Sequence, residues 1–274
     1  MPSALVLFKT MLETMTERAL HITFDSNVWR KIASPYAFQK DPCRTIFTNL
    51  NLLSKENKIV SCLSETIFNL EGIEKLNRKQ VIGNDRGKIV RMPLASAGDL
   101  VTSGFSIGPD LDAHPGSSNY LIKHLNDARL ANFKLLHCPR LGGIKNRDIL
   151  QSDYLGFSDD ISKKFSDIVC EIESWGCGQA QVVAIGSRYS NFWLDGLQIA
   201  PKSEQQNIAV AVAEWADADS VAAHIAYGND IFCTRDKAKS AGSASVFNPS
   251  CVARLGQKYG FICKAPEEIE LYGF

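Results

Sequence analysis

Short apolar runs alternate along this chain with longer segments whose apolar positions recur at helical intervals. The first run, Leu20 to Phe24, closes on Asp25, Ser26 and Asn27. The second, Lys58 to Leu63, is rich in β-branched residues and leads into Ser64, Glu65 and Thr66. Phe133 to Cys138, Ile231 to Thr234 and Gly260 to Cys263 complete the predicted strands. Helices are expected over about 3–18, 43–55, 118–130 and 158–175. Another is expected from Ile67 through Leu70, Ile73 and Leu76 to about Gln80. In the last third, Ser203 and Gln206 form a capping box for a helix ending near Trp215. Asp217 then starts an Ala-rich helix to Tyr227, stopped by Gly228. Residues 82–117, dominated by Gly, Ser, Pro and Asp, and residues 177–202 read as irregular insertions. The alternation predicts an α/β fold: a three-layer sandwich with a central, mostly parallel sheet, one domain over residues 1–274 enlarged by those insertions.

Composition narrows the function classes. Of 274 residues, 45% are hydrophobic and 22% charged, with a formal net charge of zero, which is ordinary for a globular chain. Global charge therefore gives no argument for nucleic-acid binding, and any such binding needs a local basic patch. No apolar run approaches the roughly 18–20 residues of a membrane helix. The Ala4–Phe8 run is followed by Lys9 and Glu13 and lacks the basic start and cleavage site of a signal peptide. It is expected to be an amphipathic helix packed on the domain, in a cytoplasmic protein with no membrane partner. The eight cysteines are scattered without zinc spacing. Neither a structural zinc nor a disulfide is expected.

Three predicted strands share a feature: an acid follows each within one or two residues, namely Asp25, Glu65 and Asp236. Ligand sites of open parallel sheets lie beyond the carboxyl ends of the strands, so these acids are expected to converge. Asp217, opening the helix that feeds the strand before Asp236, closes the ring. Carboxylates gathered in one cleft repel each other unless a cation neutralises them. The hard dications Mg²⁺ and Mn²⁺ are the natural occupants. Taken singly, Asp25 and Asp217 are also good helix caps, Glu65 a first-turn glutamate and Asp236 a turn residue.

These residues carry a family resemblance. The run Ile22 to Val28 resembles the opening strand of PIN-domain nucleases, and the block from Asp217 to Asp236 (DADSVAAHIAYGNDIFCTRD) resembles their last acidic block. Leu63, Ser64 and Glu65 fit the family's central glutamate, and Tyr259 to Glu268 resembles its closing strand and Pro-Glu tail. The resemblance covers roughly residues 20–80 and 203–270. It implies that Asp25, Glu65, Asp217 and Asp236 are catalytic metal-binding acids, with Asn27 ordering the first carboxylate and Thr234 beside the site. Spacing from Gly228 and Asp236 favours Asp217 as the third acid, with Asp219 the alternative. The implied activity is Mg²⁺- or Mn²⁺-dependent hydrolysis of RNA, single-stranded or structured, by activated water. The resemblance also implies a homodimer and, for toxin-type members, an antitoxin-like protein partner.

Arg235, Lys237 and Lys239 adjoin the expected site and are candidate phosphate contacts, while Arg140, Lys145 and Arg147 read as solvated surface. Phe192 and Trp193 read as core rather than base-stacking residues, and His224, in the Ala-rich helix, as packed or partly exposed rather than catalytic. His114, His124 and His137 share no ligand spacing. Two rival functions are weighed. A haloacid-dehalogenase-like phosphatase also begins with a strand-end Asp, but needs a second Asp where Asn27 stands. A non-catalytic RNA-binding or assembly module of the same fold has no need of all four acids.

Overall fold

The structure, a computed structural model, describes residues 18–83, 88–91, 95–97, 100–102, 105–108, 114–141, 146–238 and 242–269. The expected helix over 3–18, Lys145 and Lys239 lie outside the described residues. From the N-terminal side come β1 (Leu20–Phe24), α1 (Trp29–Ala33), α2 (Arg44–Lys55) and β2 (Ile59–Ser64). A π-helical turn, Ile67–Glu71, and α3 (Arg78–Gly83) follow. Next are the short strands β3 (Lys88–Arg91), β4 (Ala95–Ala97), β5 (Leu100–Thr102) and β6 (Phe105–Gly108). Then come α4 (Asn119–Leu130), β7 (Lys134–Leu136), α5 (Asp159–Ser174), α6 (Gln179–Gly186) and α7 (Trp193–Ile199). The chain continues with α8 (Gln205–Tyr227), β8 (Ile231–Cys233), α9 (Pro249–Tyr259), β9 (Cys263–Lys264) and α10 (Pro266–Ile269).

Five strands form one parallel sheet in the order β7-β2-β1-β8-β9. Side chains alternate across it. Ile22, Phe24, Ile59, Leu63, Ile231 and Cys233 face a core shared with α1, α2 and α4. Cys62, Leu136 and Phe232 face a second core built with α5 through α9. Burial on both faces explains why the central strands are apolar runs rather than alternating ones. The chain leaves β1 toward β2 on one side and returns as β8 on the other, so the strand order reverses between β1 and β8. Open α/β sheets bind ligands at such a reversal.

The helix α8 departs from the sequence reading. A break was expected between Trp215 and Asp217, and none occurs: one helix of 23 residues runs from Gln205 to Tyr227, about 35 Å at the α-helical rise. The segment has no Gly or Pro and many Ala residues, so nothing interrupts it until Gly228, whose left-handed backbone (φ 69°) ends it as expected. Neither Ser203 nor Asp217 caps a helix there. Ser203 lies in a short 3₁₀ turn, and Asp217 is a buried mid-helix residue. The helix expected from Ile67 to Gln80 is likewise divided into the π-turn and α3. Of the insertion expected over 82–117, the described residues include strands rather than irregular chain, with β3 antiparallel to β6 and β4 to β5, and the rest of it lies outside the described residues.

Residues 177–202 are not irregular either. They form α6 and α7, which cross so closely that their glycines cannot be exchanged. A Cβ on Gly196 would lie 1.9 Å from the Gly186 carbonyl oxygen, and one on Gly186 would lie 2.1 Å from that of Trp193. Trp193 packs at the edge of the core, while Phe192 is exposed rather than buried as expected. A methyl group forced into either contact must push two backbones apart, a cost of about 1–3 kcal/mol or more. Gly196→Ala is therefore expected to lower the unfolding free energy measured by chemical denaturation by that amount, whereas Gly176→Ala, where a Cβ meets nothing within 4 Å, loses only what its left-handed backbone (φ 79°) costs.

Candidate metal centre

At the strand-order reversal, β1 ends in Asp25, whose carboxylate is 3% exposed. Its backbone N–H still donates to Cys233 O of β8 (2.9 Å), which fixes the residue at the last rung of the ladder. The carboxylate is oriented by three donors. Ser26 N donates to Oδ1 at 2.6 Å, and Asn27 Nδ2 (2.6 Å) and Thr234 Oγ1 both donate to Oδ2. Thr234 in turn accepts from Asp236 N at 2.9 Å, and Asn27 Oδ1 accepts from Arg235 N at 3.0 Å. The residues after β1 and after β8 thus form one hydrogen-bonded unit around Asp25.

Two further acids close on it: Glu71, the last residue of the π-turn, and Asp217 in the middle of α8. One carboxylate oxygen from each of Asp25, Glu71 and Asp217 lies within 4.8 Å of the others. Ser26 and the Asp217 carboxyl both hydrogen-bond Glu71. Asp236 stands close enough for its charge to act on Asp25 and Asp217. Glu214, one turn before Asp217 on the same helix face and 3% exposed, adds its charge to Asp217.

Burial and crowding shift these groups strongly. Desolvation first, then the charge of Asp236, raises Asp25 from 3.8 to about 6 against its three hydrogen bonds. Desolvation and the charge of Asp25 raise Glu71 from 4.5 to about 7. Asp217 is pushed well above the usual carboxylate range by burial, then by Asp25, Glu71, Glu214 and Asp236. Burial and Asp236 raise Glu214 to about 6. The nearest counter-charge is Arg78, 6% exposed. Its guanidinium donates to three backbone carbonyls: Ile73 at 3.1 Å, Glu71 at 3.0 Å and Ala209 at 2.6 Å. It ties the π-turn to α8, and so sets Glu71 against Asp217, without pairing with either carboxylate. The donor set, all hard carboxylate oxygens crowded in a buried cleft, fits a hard divalent cation.

Glu65 does not join this cluster. Its N–H follows the β7 ladder by donating to Leu136 O (3.1 Å), and its carboxylate turns to the far side of the π-turn. There it accepts from Cys138 N and from Tyr154 Oη (2.6 Å) and pairs with His137 Nδ1 at 2.8 Å. Asp219 is excluded by helix geometry, since two residues on an α-helix span about 200° and put it opposite Asp217. It is fully buried in a pair with Arg140, whose Nε donates at 2.9 Å, and it accepts from Trp215 Nε1 at 3.1 Å. Arg140 also pairs with Glu173, so it is a half-buried structural cation and not solvated surface.

Arg235 is engaged as well. It grips both oxygens of Asp41 (3.1 and 3.2 Å) and reaches Glu267 at 3.1 Å, which leaves its guanidinium committed inside the fold rather than offered to phosphate. Lys237 is exposed beside the centre, as is Arg147 farther away. His224 is packed as expected: it is 1% exposed, bonded to Thr23 Oγ1 at 2.8 Å, and burial depresses it to about 3, so its imidazole is neutral.

Glu71 was missed by the strand-end rule because it sits six residues beyond Glu65. A signal for it was present: position 71 is an acid that directly follows the buried run Ile67 to Leu70. No protein-family model matches the chain, and it matches neither a curated protein nor a solved structure.

Because the folded state raises these acids above their unfolded values, it binds more protons than the unfolded chain between about pH 4 and pH 7. Their stabilising contribution is complete below the unfolded values and is lost as pH rises through the folded ones. Each shift of this size is worth on the order of 3 kcal/mol. Metal-free protein is therefore expected to lose thermal stability from pH 5 to pH 8. Millimolar Mn²⁺ is expected to restore it at pH 8 and do little at pH 5. A Tm that is flat across this range, or equally raised by Mn²⁺ at both pH values, overturns this account of the cluster.

Proposed function

We propose that this chain is a divalent-metal-dependent endoribonuclease of the PIN type. The observation that carries the reading is the convergence of Asp25, Glu71 and Asp217, with Asp236 beside them, at the strand-order reversal of a parallel sheet. Asp25, Glu71 and Asp217 would hold the ion. Bound Mg²⁺ or Mn²⁺ supplies Lewis-acid activation of water and stabilises charge on a phosphodiester. The chain's own contribution is preorganisation. Asn27 and Thr234 fix the Asp25 carboxylate in one rotamer, and Arg78 fixes the backbone of Glu71. Glu214, close to the cluster and raised to about 6, is an acid able to take up or pass a proton at its edge.

Asn27 also bears on the phosphatase rival. Its side chain is an amide that donates to Asp25 and accepts from Arg235 N, so it cannot serve as the acid–base group that chemistry requires two residues after the first Asp. RNA as substrate rests on the resemblance of the strand β1 and of the Asp217–Asp236 block to PIN-domain nucleases. Lys237 is the described cation exposed next to the centre.

Incubation of purified protein with mixed single-stranded RNAs and Mn²⁺ tests the reading. Cleavage that stops on chelation is expected, with loss of activity in Asp25→Asn, Glu71→Gln and Asp236→Asn. Asn27→Ala, which removes a donor to Asp25 and the acceptor of Arg235 N but no metal-holding acid, is expected to cost roughly 10- to 100-fold. Absence of metal-dependent cleavage by the parent protein, or cleavage that survives the acid substitutions, sinks the nuclease reading.

A further inference from the structure

Two helices of the layer that holds α2 begin at the same end of the sheet as the acids. α1 starts where β1 stops, with Val28 N and Trp29 N both donating to Asp25 O at 3.0 Å. α4 feeds β7, which runs parallel to β2, so its first turn lies at the end where those strands finish. A Cβ on Gly72, the residue after Glu71, would lie 3.1 Å from Leu121 Cδ1 in that first turn, which sets the start of α4 against the π-turn. We propose that the strip of surface shared by α1 and the first two turns of α4 is a stacking platform for single-stranded RNA, with Tyr120 and Arg30 at its head. The proposal rests on the nuclease reading for the identity of the strand.

The strip interleaves rings and cations. Tyr120 is 51% exposed, with the Arg30 guanidinium 5.5 Å from its ring centre and His124 edge-on at 4.6 Å. Phe38 stacks on His124 in turn, and Tyr36, 57% exposed, donates its hydroxyl to Asp127 at 2.9 Å. Tyr120 and Asp127 are seven residues apart on α4, so Tyr36 is held about 10 Å farther along that helix. Lys123 is exposed on the same helix, and its charge and that of Arg30 both reach His124. Among the described residues neither cation pairs with a carboxylate, whereas Arg129, Arg140 and Arg235 each grip one. Asp127 is taken up by Ser34 and Tyr36.

Exposed rings beside cations free of carboxylate partners suit a ligand with flat apolar faces strung on a negatively charged backbone. Single-stranded RNA has both: its unpaired bases stack on tyrosine rings and arginine planes, and its phosphates draw lysine and arginine. In a duplex the base faces are covered, so the strip favours single strands. Because every base has a π face, the platform holds the strand without choosing its sequence. Its place matters as much as its chemistry. The strip begins beside Glu71 and leads away from the acids along α4, so a strand stacked on Tyr120 is led past the cluster, with Tyr36 holding it farther out. Tyr120 and Arg30 are positioning residues in this account, since neither touches the acids.

Fluorescence anisotropy in EDTA, with a labelled mixed-sequence single strand of RNA and the matching duplex, tests the platform apart from any cleavage. The single strand is expected to bind more tightly than the duplex. Tyr120→Ala is expected to weaken it roughly 5- to 100-fold, and Tyr120→Phe, which keeps the ring, to bind as the parent does. Arg30→Ala is expected to lower the slope of log affinity against log salt by about 0.7, the loss of one phosphate contact. Phe192→Ala removes an equally exposed ring from the layer on the other face of the sheet and is expected to change nothing. Circular dichroism checks that each variant is folded, and Arg30→Ala carries the test if Tyr120→Ala is not. Failure of the parent to bind RNA, equal affinity for duplex and single strand, or unchanged binding by folded Tyr120→Ala overturns the proposal. So does a loss in Phe192→Ala as large as that in Tyr120→Ala. Binding that depends on Tyr120 without Mn²⁺-dependent cleavage removes the nuclease and keeps the platform. Cleavage by the parent with binding unaltered in Tyr120→Ala does the reverse.

Discussion

The mutual repulsion of buried carboxylates is the constraint around which this molecule is arranged. Asp25, Glu71 and Asp217 are brought within 4.8 Å of one another, and among the described residues no lysine or arginine side chain pairs with them. A chain that merely needed to fold would separate these groups or pair them, because a buried unpaired charge is among the most costly features a core can have. Here the backbone does the opposite. The ladder end of β1, the π-turn and the centre of α8 are locked at the positions that crowd the acids. The unusual π-turn belongs to the same constraint, since such turns alter the direction in which a helical segment presents its side chains and recur at functional sites.

The neighbouring charges are handled in the ordinary way, which throws the cluster into relief. Asp219 is fully buried but gripped by Arg140, and Asp41 is gripped by Arg235 and Lys31, which holds its carboxyl far below the usual range. Arg129 pairs with Asp153. The fold thus has cations available and places them elsewhere. Arg78 is the instructive case: it lies close to Glu71 and Asp217 and spends its hydrogen bonds on carbonyls, serving as a backbone brace. Acids left uncompensated beside acids that are compensated leave the first group able to hold an added cation.

Much of the architecture could be read from the chain alone. β1 and the Gly228 stop are where apolar runs and a C′ glycine put them, and β2, β8, α2, α4 and α5 begin and end within a residue or so of expectation. Their signals are local: β-branched runs bounded by turn residues, apolar positions at helical spacing, and a glycine with a positive φ. The errors came where two local signals competed. Asp217 has the chemistry of a helix cap, and an Ala-rich segment with no breaker carried the helix through it. Residues 177–202 contain turn-forming residues, yet Gly186 and Gly196 serve a close helix crossing, which no local pattern reveals.

The same division runs through the site. The sequence by itself determined that Asp25 and Asp236 follow strands, with Asn27 and Thr234 within two residues of them, because strand termination is a short-range property. Only the tertiary structure decided the remaining acids. The choice of Asp217 over Asp219 depends on which way α8 is rotated against the sheet, a matter of packing on both of its faces. The exchange of Glu65 for Glu71 depends on the winding of a five-residue turn, which points one glutamate toward β7 and the other toward α8. Convergence at a sheet edge can be inferred from topology, but which carboxylate faces the cleft is set by the rotation of each element, and that is fixed by contacts between residues far apart in the chain.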